Sequence, residues 1–147
     1  MTINLRDANA QDQESCVELL RELREATGSA DNLPRIDCFE SLLNKTRGQI
    51  VIAEEEGQIL GMASVSYNVA LRYGGEYCQL EELIVAPVAR GRKLGGMLVT
   101  EIVDNAKARG CAEIGLYLLE TTEHNRPFYE KYGFQVIGSE MRQTLRQ

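Results

Sequence analysis

The sequence predicts a single α+β domain built on a mixed, mostly antiparallel central sheet flanked by helices. Short runs with apolar residues at alternate positions, typical of strands, are interleaved with longer runs whose apolar residues recur every three or four positions, typical of helices. The length of 147 residues suits one domain over residues 1–147, and 44% hydrophobic against 26% charged residues is an ordinary globular balance. The chain has no internal repeat or low-complexity tract.

The first half of the chain alternates between strand and helix signals. Ile3 and Leu5 predict a first strand, and Asn9 is a suitable cap for a helix that Gly28 ends. A loop over 29–34 then leads to a second helix, which is predicted to end near Gly48. Three further strands are predicted at 50–53, 59–68 and 77–85.

The second half predicts two helices and three strands. The helices cover 93–109 and 128–132, and glycine residues follow both of them directly, as expected of helix ends. The strands are predicted at 114–118, 134–137 and 141–145. The complete predicted order is β-α-α-β-β-β-α-β-α-β-β.

Composition excludes several classes of function. A net charge of −6 makes nucleic acid a poor partner. The N-terminus lacks the apolar core of a signal peptide, and no stretch reaches the ~20 apolar residues of a membrane span, so we expect a cytoplasmic protein without a membrane partner. The four cysteines are scattered and there is one histidine, so we expect no metal site.

The stretch from residue 80 to 101 is the strongest functional signal. An apolar strand ends at Pro87, a turn rich in glycine and cations follows, and an amphipathic helix begins directly after it. Free N–H groups and the dipole of a helix N-terminus attract anions, and cations are otherwise unfavourable there. A solvated turn would have the same composition, but the placement of the cations favours a phosphate or pyrophosphate ligand. A P-loop and a Rossmann fingerprint both fail, because Leu94 follows Lys93 and the glycines fall at 91, 95 and 96.

This stretch resembles the acetyl-CoA motif of the GNAT N-acetyltransferases, which is an apolar strand, a proline and then (Arg/Gln)-x-x-Gly-x-(Gly/Ala). Lys93 occupies the position where that family most often has its first glycine, and we expect it to have ordinary helical dihedral angles. A second segment, FYEKYGF at 128–134, is similar to a motif that follows in the same family. The predicted element order is also that of the GNAT fold.

The resemblance implies transfer of an acetyl group from acetyl-CoA to a primary amine, by direct attack in a ternary complex, with a small-molecule acceptor favoured. A protein N-terminus or lysine as acceptor, and a non-catalytic acyl-CoA-binding module, remain as alternatives. Whether the chain forms a homodimer is left open. The residues expected to bind acetyl-CoA are Leu83, Ile84, Val85, Arg90, Gly91, Arg92, Lys93, Leu94, Gly95, Gly96, Asn125 and Tyr129.

The resemblance also implies three catalytic candidates. Glu82 matches the family's base glutamate and Glu81 is the second choice; because side chains alternate along a strand, the two are expected to point to opposite faces. Tyr129 matches the tyrosine that protonates the leaving thiolate, and a backbone N–H near Val85 is expected to hold the thioester oxygen. Asn125 is expected to contact pantetheine or, in preference, to cap the helix that follows it.

Overall fold

A computed structural model of the protein describes residues 2–27 and 37–146, with side chains for 2–23 and 38–146. These residues form strands β1 (Asn4–Asp7), β2 (Gly48–Glu55), β3 (Gln58–Ala70), β4 (Gly75–Val85) and β5 (Ile114–Leu116). They also form helices α1 (Gln13–Thr27), α2 (Asp37–Ser41), α3 (Leu94–Arg109) and α4 (Arg126–Lys131), with 3₁₀ turns at Ala10–Asp12, Leu71–Tyr73, Pro87–Ala89 and Glu120–Asn125. The predicted loop at 29–34 and the predicted helix-ending Gly28 lie outside the described residues.

The strands form one sheet in the order β1-β2-β3-β4-β5. The first three pairings are antiparallel, and β4 pairs with β5 in parallel. A parallel pair needs a crossover connection, and α3 supplies it. The parallel pairing is short, because it joins only Cys78–Leu80 to Ile114–Leu116. The α+β class with a mixed, mostly antiparallel sheet is therefore confirmed.

Each face of the sheet carries its own apolar cluster. The face that we call the α3 face packs the helix residues Leu94, Leu98 and Ile102 against Ala63 and Val65 of β3. The opposite face, the α1 face, holds a second cluster whose buried members are Ala8, Cys16, Leu19, Phe39, Ile50, Ile52, Met62 and Ile84. Because strand side chains alternate between the two faces, the register of β4 against β3 determines on which face each β4 side chain lies.

The order of elements differs from the prediction at the C-terminus. The two closing strands predicted at 134–137 and 141–145 are wrong, since residues 134–146 form neither helix nor strand. A strand needs a partner for its backbone, and β5 ends at Leu116 without a second strand on its outer edge in the described residues. Four apolar side chains of this segment are exposed, at 61% to 95%: Val136, Ile137, Met141 and Leu145.

Two other boundaries were placed too far along the chain. The second helix ends at Ser41 instead of near Gly48, and the chain continues through bends in which Lys45 has a left-handed φ of 64°. Strand β5 ends at Leu116 instead of residue 118. Propensity and pattern determine the type of an element better than its ends, because the last residues depend on tertiary contacts.

Candidate active site

Strand β4 carries an irregularity at its centre. In the ladder with β3, Ser64 lies opposite Glu82 and Val65 lies opposite Leu80, so Glu81 is an extra residue without a partner. Such a β-bulge sets two residues of one strand against one residue of the next and interrupts the alternation of side chains. Leu80 accordingly packs in the α3-face cluster, whereas Ile84, four residues later, is buried in the α1-face cluster.

The bulge brings both glutamates to the same face. Ser64 and Ser66 alternate with the α3-face residues of β3 and therefore lie on the α1 face. The Ser66 hydroxyl donates a hydrogen bond to Glu81 Oε2 at 2.6 Å, and the Ser64 hydroxyl donates one to Glu82 Oε1. The expectation that Glu81 and Glu82 point to opposite faces is wrong, because it assumed a regular strand.

The two carboxylates differ in their surroundings. Glu81 is exposed, whereas Glu82 is half-buried beside Ser64, which is 2% exposed. Burial raises the pKa of Glu82, the hydrogen bond from Ser64 opposes that rise, and the neighbouring charge of Glu81 adds to it. A raised carboxyl pKa is suited to accepting a proton near neutral pH.

Neither carboxylate is neutralised by a cation. Among the described residues, no arginine, lysine or histidine forms an ion pair with Glu81 or Glu82. The α1 face therefore attracts a cation such as a protonated amine.

The edge of β4 that faces β5 is open over the same residues. Pairing with β5 stops at Leu80, while pairing with β3 continues to Val85. Backbone N–H and C=O groups of residues 81–85 that point away from β3 have no strand partner in the described residues. An extended ligand can use such groups as an additional strand would. The side chains of Leu83 and Val85 pack on the α3 face and that of Ile84 on the α1 face, so only backbone faces this opening.

The turn after β4 has two residues with left-handed backbone. Gly91 has a φ of 86°, and Lys93 has φ 65° and ψ 20°. The expectation of ordinary helical dihedral angles for Lys93 is wrong. The left-handed backbone at Lys93 also explains why the GNAT motif usually has glycine at this position, because glycine adopts a left-handed conformation without steric cost. Turns that use this conformation direct consecutive N–H groups to one side and form anion-binding concavities.

The charges around this turn are not equivalent. Arg92 forms a two-pronged ion pair with Glu55, with Nη1 to Oε1 at 3.0 Å and Nη2 to Oε2 at 2.6 Å. Arg90 and Lys93 form no ion pair with any described residue. Of the three cations grouped by the sequence, two are therefore available to an anion, and the third ties the turn to the β2–β3 hairpin.

Helix α3 begins at this turn with free donors. The first hydrogen bond of the helix runs from the Met97 N–H to the Lys93 carbonyl at 3.2 Å, which leaves the N–H groups of Leu94, Gly95 and Gly96 before it. No acidic residue lies in this first turn. The positive end of the helix dipole is therefore not neutralised locally.

Helix α4 packs on the first turn of α3 through aromatic rings. A Cβ added at Gly95 would meet Phe128 Cζ at 3.3 Å, and one added at Gly96 would meet the Tyr132 hydroxyl oxygen at 1.9 Å. These two glycines thus make room for α4. Tyr129, on the same helix, is half-buried against the α3-face cluster, and burial raises the pKa of its phenol. Its hydroxyl has no hydrogen-bond partner among the described residues.

Asn125 precedes α4 directly, but its side chain accepts no capping hydrogen bond, so the expected cap is wrong. In the described residues, no group of three or more histidine, cysteine, aspartate or glutamate side chains could hold a metal ion. No helix in the described ranges is both long and apolar enough to span a membrane.

The sequence reasoning missed Ser64 and Ser66. Both occur within β3, where they alternate with Ala63, Val65 and Tyr67, which are buried. The signal that could have found them is a pair of serines at alternate positions of one predicted strand, next to a strand that carries two glutamates. Side chains at alternate positions lie on one face of a sheet, where they can contact polar side chains of the neighbouring strand. The bulge that aligns them has no signature in the sequence.

A family model for the acetyltransferase (GNAT) family matches residues 14–134. The chain belongs to the GNAT acetyltransferase family. The prediction of an N-acetyltransferase enzyme is therefore confirmed, and members of this family use acetyl-CoA as co-substrate.

Similar proteins bear names that agree with this assignment. A glucosamine 6-phosphate N-acetyltransferase from Trypanosoma brucei brucei is 29% identical over 97% of this chain and 96% of its own length. A probable glucosamine 6-phosphate N-acetyltransferase 2 from Oryza sativa subsp. japonica is 38% identical over 71% of this GNAT chain and 64% of its own. The crystal structure of the glucosamine-6-phosphate N-acetyltransferase from Arabidopsis thaliana superposes with a TM-score of 0.81 at 25% identity, covering 99% of this chain and 100% of that one.

Proposed function

We propose that this GNAT enzyme transfers the acetyl group of acetyl-CoA to the primary amine of a small molecule, and that glucosamine 6-phosphate is the first acceptor to test. The observation that carries the proposal is the pair of unneutralised carboxylates, Glu81 and Glu82, beside the open edge of β4. The acceptor class is supported by the names of the three relatives described above, all of which include glucosamine 6-phosphate, an amino sugar phosphate.

We assign the general base and the general acid to opposite faces of the sheet. An alkylamine is an ammonium ion at neutral pH, with a pKa of about 10.4, so it must lose a proton before it attacks. Glu82, on the α1 face, accepts that proton, directly or through water. The neutral amine attacks the thioester carbonyl to form the C–N bond, the C–S bond then breaks, and Tyr129, on the α3 face, donates a proton to the leaving thiolate. The amide nitrogen gives up its second proton to water, and water reprotonates Tyr129. A backbone N–H near Val85 stabilises the oxyanion.

The donor is proposed to bind along the open edge and the turn. Backbone of Leu83, Ile84 and Val85 pairs with the pantetheine arm. The donors free to hold the pyrophosphate are the N–H groups of the turn and first helical residues, with the charges of Arg90 and Lys93. These N–H groups belong to Gly91, Leu94, Gly95 and Gly96. Arg92 supports the turn from outside through Glu55.

Two experiments test this function. In the first, release of the CoA thiol is followed with glucosamine 6-phosphate, with glucosamine and a short peptide as comparison acceptors. Turnover with glucosamine 6-phosphate alone is the expected result, and turnover with the peptide alone would move the activity to the protein-acetylating alternative. Binding of acetyl-CoA without turnover of any amine would favour the non-catalytic module.

The second experiment is a calorimetric titration with acetyl-CoA that compares Arg90→Gln with Arg92→Gln. Loss of a charge-assisted contact to phosphate is expected to weaken binding about tenfold for Arg90→Gln. Arg92→Gln is the matched control, because its guanidinium is already paired, and we expect a smaller change. Equal affinities for wild type and Arg90→Gln would remove Arg90 from the site.

We also propose that the enzyme is a homodimer, in which residues 134–146 of each copy pair with the outer edge of β5 of the other. The support is the combination, on one chain, of an open sheet edge and a segment that forms neither helix nor strand and exposes apolar residues. Light scattering should give twice the chain mass of 16.4 kDa. The double change Ile137→Glu with Met141→Glu should give a monomer, whereas Leu71→Glu, at a fully exposed position, should not.

A further inference from the structure

The bulge in β4 gives each of the two glutamates its own serine. The Ser64 hydroxyl donates a hydrogen bond to the half-buried Glu82, and the Ser66 hydroxyl donates one to the exposed Glu81. We propose that Ser64 is a positioning residue for the base: its buried hydroxyl fixes the Glu82 carboxylate across the β3–β4 ladder and stabilises its ionised form, while Glu81 acts on the same carboxylate in the opposite direction. This inference rests on the proposed function of Glu82.

The geometry of Ser64 leaves it a single role. Its side chain is 2% exposed and lies opposite Glu82 in the ladder, between apolar neighbours such as Met62 and Ile84. A buried hydroxyl without a partner is costly, and Glu82 is the acceptor that satisfies it among the described residues. Glu82 Oε1 accepts this bond, and no hydrogen bond to its second oxygen, Oε2, comes from the described residues.

The electrostatic surroundings of Glu82 are simple. Strand β2 presents Ile50 and Ile52 to this face, and α2 presents Phe39. Helix α1 presents Cys16, whose pKa burial raises to about 12, so the thiol is neutral at physiological pH. The charge that acts on Glu82 from the described residues is that of Glu81, which raises its pKa, whereas the Ser64 hydrogen bond lowers it.

Ser66 provides a matched control within the same strand. Its hydroxyl donates to Glu81 at 2.6 Å and accepts from Asn68 Nδ2 at 3.0 Å. The chemistry of the pair is the same as that of Ser64 and Glu82, but Glu81 is exposed, so water can replace the hydroxyl there. Ser66→Ala should therefore leave the titration of Glu82 unchanged.

The test measures two quantities for wild type, Ser64→Ala, Ser66→Ala and Glu81→Gln. The first is the pH profile of kcat with the best acceptor, and the second is the titration of the Glu82 carboxyl carbon by NMR, which needs no turnover. Ser64→Ala should move the acid limb to higher pH and lower kcat on that limb about tenfold, with activity recovered at high pH. Glu81→Gln should move the limb to lower pH.

Each outcome separates this inference from the proposed function. If no amine is acetylated by wild type, the proposed function fails, and the NMR titration still decides the role of Ser64. If wild type is active and Ser64→Ala titrates like wild type, or loses activity equally at all pH values, the inference is overturned. Ser64→Thr keeps the hydroxyl and should restore the wild-type profile, so a poorly folded Ser64→Ala leaves Ser64→Thr and Glu81→Gln to decide.

Discussion

The hydroxyl of Tyr132 lies directly over Gly96, so close that a Cβ added to the glycine would sit 1.9 Å from it and 2.7 Å from ring atom Cζ. Tyr132 also packs on Phe128, with ring centroids 5.1 Å apart. Gly96 and its neighbour Gly95 are therefore the surface on which α4 rests. Since α4 also carries Tyr129, this contact links the anion turn to the proposed acid.

Gly96→Ala should destabilise the protein by about 1–2 kcal/mol, because the clash with Tyr132 outweighs the gain of about 1 kcal/mol from replacing glycine in a helix. In a Tyr132→Ala background the clash is absent, and the same change should stabilise the protein. Denaturant unfolding of the four proteins in this cycle measures both effects. A stabilising Gly96→Ala in the wild-type background would contradict the packing described here.

Lys93 should be the most strained residue of the anion turn. Its φ of 65° costs a residue with a side chain roughly 1–2 kcal/mol relative to glycine. The free energy of unfolding of Lys93→Gly should therefore exceed that of Lys93→Ala by about 1 kcal/mol, as measured by denaturant unfolding, although both variants lose the same charge. Equal stabilities would show that the turn relaxes, and acetyl-CoA titration of both variants reports the contribution of the ammonium group separately.

The fold and the candidate site were predictable from the sequence to different extents. Hydrophobic periodicity predicts α3 and the long strands well, because these elements bury a continuous apolar face. The segment after Gly133 reads as two strands from its composition, yet a strand exists only with a partner, and none lies within the described chain. Composition indicates the strand propensity of a segment, but whether a strand forms depends on a neighbouring strand with which its backbone can pair.

The site shows the same limit. The anion turn is local in sequence, so its residues are recognisable, including the position at which Lys93 replaces the usual glycine. The arrangement of Glu81 and Glu82 depends on a single extra residue in the ladder, and a one-residue shift moves a side chain to the other face. Ser64 and Ser66 acquire their roles through that shift. No spacing rule applied to β4 alone could find them.

Asp12 should make the N-terminal region sensitive to acid. It is 6% exposed, accepts hydrogen bonds from Arg6 Nη1 at 2.8 Å and Nη2 at 3.0 Å, and accepts another from the Asn9 N–H. The Arg6 guanidinium holds the pKa of Asp12 below its usual value. The stabilisation is therefore complete above the unfolded pKa of about 3.9 and is lost as the pH falls through the folded value.

Asp12→Asn should lower the free energy of unfolding at pH 7 by about 1–3 kcal/mol and flatten its dependence on pH below about 4. Glu18→Gln is the control, since its carboxylate is 65% exposed and pairs with Arg21 one helical turn away; we expect a change below about 0.5 kcal/mol. Unfolding midpoints measured from pH 3 to pH 7 give both slopes. Parallel curves for wild type and Asp12→Asn would exclude this source of acid sensitivity.

Tyr129→Phe tests the proposed acid with the smallest possible change. The hydroxyl has no hydrogen-bond partner in the described chain, and burial raises the phenol pKa, so the group is protonated at neutral pH and able to donate. Its loss should lower kcat by about 10²–10⁴, as is typical of a general acid, while the affinity for acetyl-CoA changes little. Packing with Phe128 and Phe134 is retained, because the ring remains.

Tyr132→Phe is the matched control, since it removes the same atom from the residue that directly follows α4 and whose hydroxyl rests on Gly96. Single-turnover rates with a saturating acceptor separate chemistry from product release for both variants. We expect the rate of Tyr132→Phe to stay within about twofold of wild type, since that hydroxyl is proposed only to pack. If Tyr129→Phe also retains the wild-type rate, the leaving thiolate is protonated by water, and Tyr129 serves the aromatic packing that holds α4 on α3.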